Sequence, residues 1–227
     1  MGWAHHFLPD ETELAEHYPT RAEKAADGAV HAIGLLLAAI GGAALFIRTL
    51  TIGHAAAAGA AAAYAVCLVA MLTASAIYNL TRPSKARRVL RRLDEAAIFV
   101  MIAGSYTPFT ITQFPDPWAF WITAAVWALA AVGAFGKLFV ALSDLFWSLV
   151  YIGFGWLSVV IVLPMAQSLT PFAIGLLAAG GLVYTSGVAI YLKHSIRFRR
   201  AIWHAFVVVG AALHFGAIWA TTGASAV

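Results

Sequence analysis

Charge is scarce in this chain. Asp, Glu, Lys and Arg make up 11% of its 227 residues, against about 25% in a soluble domain. Hydrophobic residues make up 62%, and the mean hydropathy is +0.85. This excludes an ordinary soluble domain and predicts a polytopic membrane protein with little mass outside the bilayer. No charged residue occurs in 55–81, 96–115 or 145–192, or after Arg200. Cysteine is nearly absent too. Cys67 stands alone inside an apolar run, so no intramolecular disulfide can form and the redox compartment cannot be read. No cleavable signal peptide is expected: residues 1–28 are polar and mixed in charge, and the first apolar run is too late and too long for an h-region. No internal repeat stands out.

The charge that is present clusters. Arg82, Lys85, Arg87, Arg88, Arg91 and Arg92 put six positive charges in eleven residues. This reads as a short basic loop between two apolar segments, and short basic loops stay cytoplasmic. Such loops account for the net charge of +4, so no nucleic-acid partner is expected; the partners are membrane lipids. Apolar runs of about 20 residues suit bilayer-crossing helices. They predict an all-α, seven-transmembrane bundle with spans at 29–51, 55–80, 95–113, 118–136, 145–164, 171–192 and 201–221. Pro164 and Pro171, with Gln167, Ser168 and Thr170 between them, mark the turn that divides the long neutral run. Gly104 and Pro108 predict a bend in the third span, where Ser105 or Thr107 would take up freed backbone groups.

Orientation follows from the positive charges. With the N-terminus inside, thirteen of the fourteen Lys and Arg residues fall on the inner side, and only Arg48 is left at an outer end, where it can snorkel. The N-terminus is therefore expected in the cytoplasm and the C-terminus outside. Residues 1–28 read as an irregular cytoplasmic lead, in which Trp3, Phe7, Leu8 and Leu14 rest at the interface, followed by a helix start near Thr20–Asp27. Residues 29–221 read as the membrane domain and 222–227 as an outer tail. Small length and minimal loops suit a bacterial inner-membrane protein.

Polar residues gather at the predicted inner ends. Ser75 and Asn79 share a helix face, as do Arg200 and His204, and Glu23, Asp27 and His31 recur every four residues. Asp94 opens the third span at the same depth. Ionisable groups there are costly and face the bundle interior or a water-filled cavity. Each also has a plain structural reading. Asp94 is an acid favoured by a helix N-terminus, His204 a hydrogen-bonded core histidine, Ser75 a back-bonded helix serine, and Glu23 with Asp27 a solvated face. His214, deeper in the last span, reads as a helix-to-helix hydrogen-bonding residue. His5, His6, His17, His54 and His194 read as exposed or interfacial.

GAVHAIG (28–34), SAIYN (75–79), RRLDEAAIFVMIAGSYTPF (91–109), GGLVYTSGVAIY (180–191) and AIWHAFVVVGAALHF (201–215), in that order, resemble the hemolysin III proteins and their relatives, the progestin and adipoQ receptors. The resemblance covers nearly the whole chain. It implies seven helices with the N-terminus inside. It also implies a zinc ion near the inner face, bound by a histidine ending span two and two histidines four apart opening span seven, beside a serine and a water-holding aspartate. By position, the serine is Ser75, the aspartate Asp94 and the second span-seven histidine His204. The other two positions depart: Asn79 and Arg200 stand where the resemblance expects histidines, and Glu95 follows the aspartate where histidine is common.

Those departures bear on chemistry. Catalytic zinc takes about three protein donors; an amide is a poor one and a guanidinium cannot ligate. The expectation is that no cofactor is held and that Arg200 replaces the ion electrostatically, bridging Asp94 or Asp27 in a paired geometry. A metal recruited differently, by His204 and Asp94 with Asp27 or Glu23 and His31, is the alternative. The expected function is a non-catalytic lipid or ion sensor, a membrane regulator, or a pore-former as the hemolysin name implies. The competing reading is a ceramidase-like, zinc-dependent lipid-amide hydrolase, in which Asp94, Ser75 and His204 would carry catalysis.

Overall fold

The structure is a computed structural model that describes residues 18–53, 55–115, 117–165 and 168–222. Trp3, Phe7, Leu8, Leu14, His5, His6, His17, His54, Gln167 and the tail from 223 lie outside the described residues. Seven helices make up the described chain: α1 (Arg21–Thr51), α2 (Ala55–Leu80), α3 (Arg87–Gln113), α4 (Trp118–Phe139), α5 (Asp144–Met165), α6 (Pro171–Tyr191) and α7 (Arg199–Thr222). Six are long and apolar enough to cross a membrane; α3 is the exception. Local chemistry sets their starts. Thr20 caps α1, accepting a hydrogen bond from the Glu23 N–H at 3.2 Å, and Thr170 does the same for α6 with Ala173, ahead of Pro171 in the first turn.

Two helices begin eight residues before the expected spans. The Thr20 cap starts α1 within the stretch Thr20–Asp27 where a helix start was expected, and it places Asp27 in the second turn. In α3, four of the six basic residues form the first two turns, so only Arg82 and Lys85 lie in the loop proper. Nor is this segment a simple solvated loop. Arg87 is fully buried. Arg91 bridges Glu95 (3.1 Å) and Asp144 (2.7 Å), Lys137 pairs with Glu95 at 2.7 Å, and Arg92 donates to the Leu138 carbonyl at 2.7 Å. Glu95 within α3 and Asp144 at the start of α5 draw the basic residues inward and tie α3, α4 and α5 together at one end. Near Pro108, Ser105 and Thr107 bond Ile102 O and Ala103 O, not the Gly104 carbonyl that the proline leaves without a donor.

The bundle is apolar on the outside and small or polar within. On α1 the exposed face carries Ile33, Leu36, Leu37, Ile40 and Ile47, whereas the buried face carries Asp27, His31, Gly34, Ala38 and Gly42. A soluble protein would be arranged the other way round. Lipid solvates the large side chains, and close helix approach within comes from small residues. Each helix up to α4 packs on its neighbour in sequence, α6 packs on α7, and α1 lies against both α2 and α7 to close the ring. By contrast, α5 touches α3 and α6 only lightly. The looseness around α5 leaves a cavity.

At Gly104 an added Cβ would sit 2.6 Å from the Cβ of Cys67 on α2, an atom that moves only with its helix. Gly104→Ala is expected to cost about 1–3 kcal/mol by overpacking, read as a lowered melting temperature by tryptophan fluorescence in detergent. Cys67→Gly on the Gly104→Ala background should recover most of the loss.

Candidate functional site

Four helices deliver polar groups to one place at one end of the bundle. The first turns of α1 bring Asp27 and His31, the last turns of α2 bring Ser75 and Asn79, α3 brings Asp94, and the first turns of α7 bring Arg200 and His204. Asp27 (0% exposed), His31, Ser75, Asn79 and His204 are all buried.

Asp27 is the centre of the network. His204 Nδ1 donates to Asp27 Oδ1 at 2.6 Å, and the Tyr18 hydroxyl donates to Oδ2. His31 Nδ1 donates to the Asp27 carbonyl at 2.9 Å and lies 3.6 Å from Oδ2. Acceptors facing both Nδ1 atoms place the ring protons there and leave each Nε2 as a bare lone pair. Both lone pairs turn to the same hydroxyl: Ser75 Oγ lies 3.3 Å from His31 Nε2 and 3.4 Å from His204 Nε2. The two rings meet edge to face, with centroids 4.3 Å apart. Asn79 Nδ2 donates to Ser75 O at 3.0 Å and to Oγ at 3.4 Å. Asp94 also reaches the Ser75 hydroxyl and lies in the field of His204 and Arg200.

Arg200 does not bridge an acid here. Its guanidinium donates to Asn79 Oδ1 at 2.8 Å, and among the described residues it makes no ion pair with Asp94 or Asp27. Asp27 is already engaged by Tyr18 and His204, which leaves the Asn79 amide oxygen as the nearer acceptor. Glu23 stays at the α1 cap with Thr20 and does not join the cluster. His214 packs on α6 beside Tyr184, ring centroids 5.5 Å apart, and bonds the Leu177 backbone. His194 is exposed.

Tyr18 was not singled out by sequence reasoning, since a tyrosine in a polar lead carries no periodic signal. Burial, reinforced by the bond to Asp27, pushes its phenol well above the ordinary value, so it remains a donor. Lys137 and Glu95 were also missed as a pair, although each borders a neutral run.

Zinc can be tested against these donors. At the positions that the resemblance points to, Asn79 and Arg200 are bonded to each other, and a fixed cation sits where an ion would sit; zinc does not fit there. Beside it, Asp27, His31 and His204 each offer a ligand atom, all within 4.8 Å of one another, and their nitrogen and oxygen types suit zinc. Asp94 is not part of that group. Within the group, however, His204 Nδ1 and both Asp27 oxygens are already spent on hydrogen bonds.

A cavity of about 380 Å³ adjoins the network. Ser75, Asn79, Asp94, Arg200 and His204 line its polar end, whereas Met71, Leu72, Met101, Phe109, Ile161 and Leu177 line its body. It is therefore amphipathic along its length, and it lies where α5 is loosely held.

Residues 21–215 match the family described as Haemolysin-III related. The chain is 33% identical to Hemolysin-3 of Bacillus cereus over 194 residues, covering 85% of this chain and 89% of that protein. It is 32% identical to the Hemolysin-3 homolog of Bacillus subtilis over 197 residues, 86% and 92% of the two chains. The human Monocyte to macrophage differentiation factor is 30% identical over 166 residues, 69% and 67% of the two chains.

Proposed function

Starting from the fact that the chain belongs to the haemolysin-III-related family and is a multi-pass integral membrane protein of the bacterial plasma membrane, we propose that it binds a membrane lipid in the cavity beside Ser75 and acts as a lipid sensor or regulator. The single observation behind this is the shape and chemistry of the cavity: an apolar body with a charged and hydrogen-bonding end. A lipid chain fills the body, and its polar group meets Asn79, Asp94 and Arg200. In this reading α3 also spans, with its charged first turns outside the bilayer. Residues 29–221 form the seven-span domain, 1–28 the cytoplasmic lead and 222–227 the outer tail.

The zinc-dependent hydrolase reading is the weaker one, because the Arg200–Asn79 pair occupies the metal position. Were zinc taken up by Asp27, His31 and His204, it would supply Lewis-acid polarisation. The pore reading draws on the printed name of the Bacillus cereus relative; it predicts dye release from proteoliposomes, which the lipid-binding reading does not.

Native mass spectrometry of protein extracted in mild detergent tests the proposal. A retained lipid is expected in the wild type. Leu177→Trp, which fills the apolar body, should lower retention about tenfold, equivalent to about 1.4 kcal/mol. Equal retention in both, or none in the wild type, would overturn it.

A further inference from the structure

The hydrogen bonds that close the polar end of the cavity run in a particular order. Asp27 Oδ1 accepts from His204 Nδ1 at 2.6 Å, and His204 Nε2 faces Ser75 Oγ at 3.4 Å. A carboxylate thus holds an imidazole in the tautomer whose free nitrogen confronts a hydroxyl. A nucleophilic triad is recognised by this geometry and these roles, not by chain order, and the nucleophile–base contact is often loose before substrate binds. Ser75 and His204 both line the lipid cavity, while Asp27 stands behind them, fully buried.

A purely structural serine would be expected to match donors with acceptors. Here two imidazole lone pairs, on His31 and His204, and the Asp94 carboxyl all face one hydroxyl that has a single proton to give and that accepts from Asn79 Nδ2 at 3.4 Å. The surplus is on the basic side, as a hydroxyl poised for deprotonation requires. The two histidines are not equivalent. His204 is backed by the Asp27 carboxylate, which favours a developing imidazolium, whereas His31 Nδ1 is bonded to a backbone carbonyl. Arg200 supplies the complementary electrophile. One N–H holds Asn79, its other N–H groups have no partner among the described residues, and it lines the same end of the cavity. Its charge also offsets that of Asp94 beside the serine.

We propose that Ser75 is a nucleophile toward the acyl group of a bound lipid, with His204 as its general base, Asp27 as the residue that positions His204, and Arg200 facing the oxyanion, by a route that needs no metal. This rests on the lipid-binding reading of the cavity and adds a reaction to it. The Ser75 O–H bond breaks and its proton passes to His204 Nε2 as Oγ bonds the acyl carbon. The tetrahedral adduct collapses, the bond from the acyl carbon to the ester oxygen or amide nitrogen breaks, and that leaving atom takes the proton from Nε2. Water then follows the same path, delivering its proton through His204 to Ser75 and releasing the fatty acid. No electron changes hands.

The test treats the full chain, in nanodiscs with EDTA, with a long-chain alkyl fluorophosphonate, and maps the adduct by peptide mass spectrometry. An adduct on Ser75 of the wild-type protein is expected, so the main result needs no variant to fold. His204→Gln should slow labelling at least about a hundredfold, and His31→Gln less than about tenfold. Asp27→Asn should lower the maximal labelling rate and leave the half-saturating probe concentration unchanged; mere loosening of the cavity would move both. No adduct on Ser75 while lipid is still retained would overturn the triad alone, and loss of both would overturn the lipid reading with it. Labelling that EDTA abolishes and zinc restores would overturn the metal-free route.

Discussion

Asn79→His combined with Arg200→His is expected to turn this chain into a zinc protein. The two native side chains are bonded to each other at 2.8 Å, so they are neighbours in space although they come from α2 and α7. Arg200 and His204 are one helical turn apart, on the same face. Replacing both residues removes the fixed cation and presents three imidazoles with the nitrogen donors that zinc prefers. About one zinc per chain is expected after dialysis, measured by elemental mass spectrometry, with a tetrahedral absorption band when cobalt is substituted. Neither single change should suffice: Asn79→His keeps the guanidinium beside the site, and Arg200→His lacks the α2 donor. The wild type should hold far less than one zinc per chain. Stoichiometric zinc in the wild type that fell in His31→Ala would instead assign the metal to Asp27, His31 and His204.

Asp27→Ala is expected to be the most destabilising single change at the site. The carboxylate accepts from Tyr18 and His204 at zero exposure. Its removal takes a buried acceptor from Tyr18 and His204, at about 1–3 kcal/mol per lost bond, and leaves a cavity, for an expected total of about 3–5 kcal/mol. Cys67 is the sole thiol and is buried, so a maleimide dye that fluoresces on reaction reports the melting point directly. Asp27→Asn keeps the volume and one acceptor, so it should lose less. A melting point for Asp27→Ala within a degree or two of the wild type would mean that the network contributes little to holding α1 against α7.

Much of the fold was legible without coordinates because lipid imposes a simple rule. A charge-free run must satisfy its own backbone and therefore becomes a helix. The expected limits of the second and sixth spans fall within a residue of α2 and α6. The helix start expected near Thr20–Asp27 agrees with the Thr20 cap of α1, whereas the early start of α3 was not legible from hydropathy, because helix-forming arginines extend a helix without adding apolar residues. The candidate site was legible as a set of depths. Counting residues from the expected inner edge put Glu23, Asp27, His31, Ser75, Asn79, Asp94, Arg200 and His204 at one level, and of these Glu23 stays at the α1 cap.

The pairing within that level was not legible. Arg200 was expected to meet Asp94 or Asp27, yet it meets Asn79; Asp27 was expected to meet Arg200, to help hold a metal or to lie on a solvated face, and it joins Tyr18, His31 and His204. Depth along a helix is a one-dimensional property, set by 1.5 Å per residue and by where charge stops. Partner choice depends on how each helix is rotated about its axis, and contacts such as Gly42 on Ala65 or Gly104 on Cys67 set that rotation. By itself the sequence determined that this is a membrane bundle of the haemolysin-III-related family with polar groups gathered at one end. Only the packed helices decided which of those groups share protons, because a turn of a few tens of degrees about a helix axis exchanges one partner for another at no cost in hydropathy.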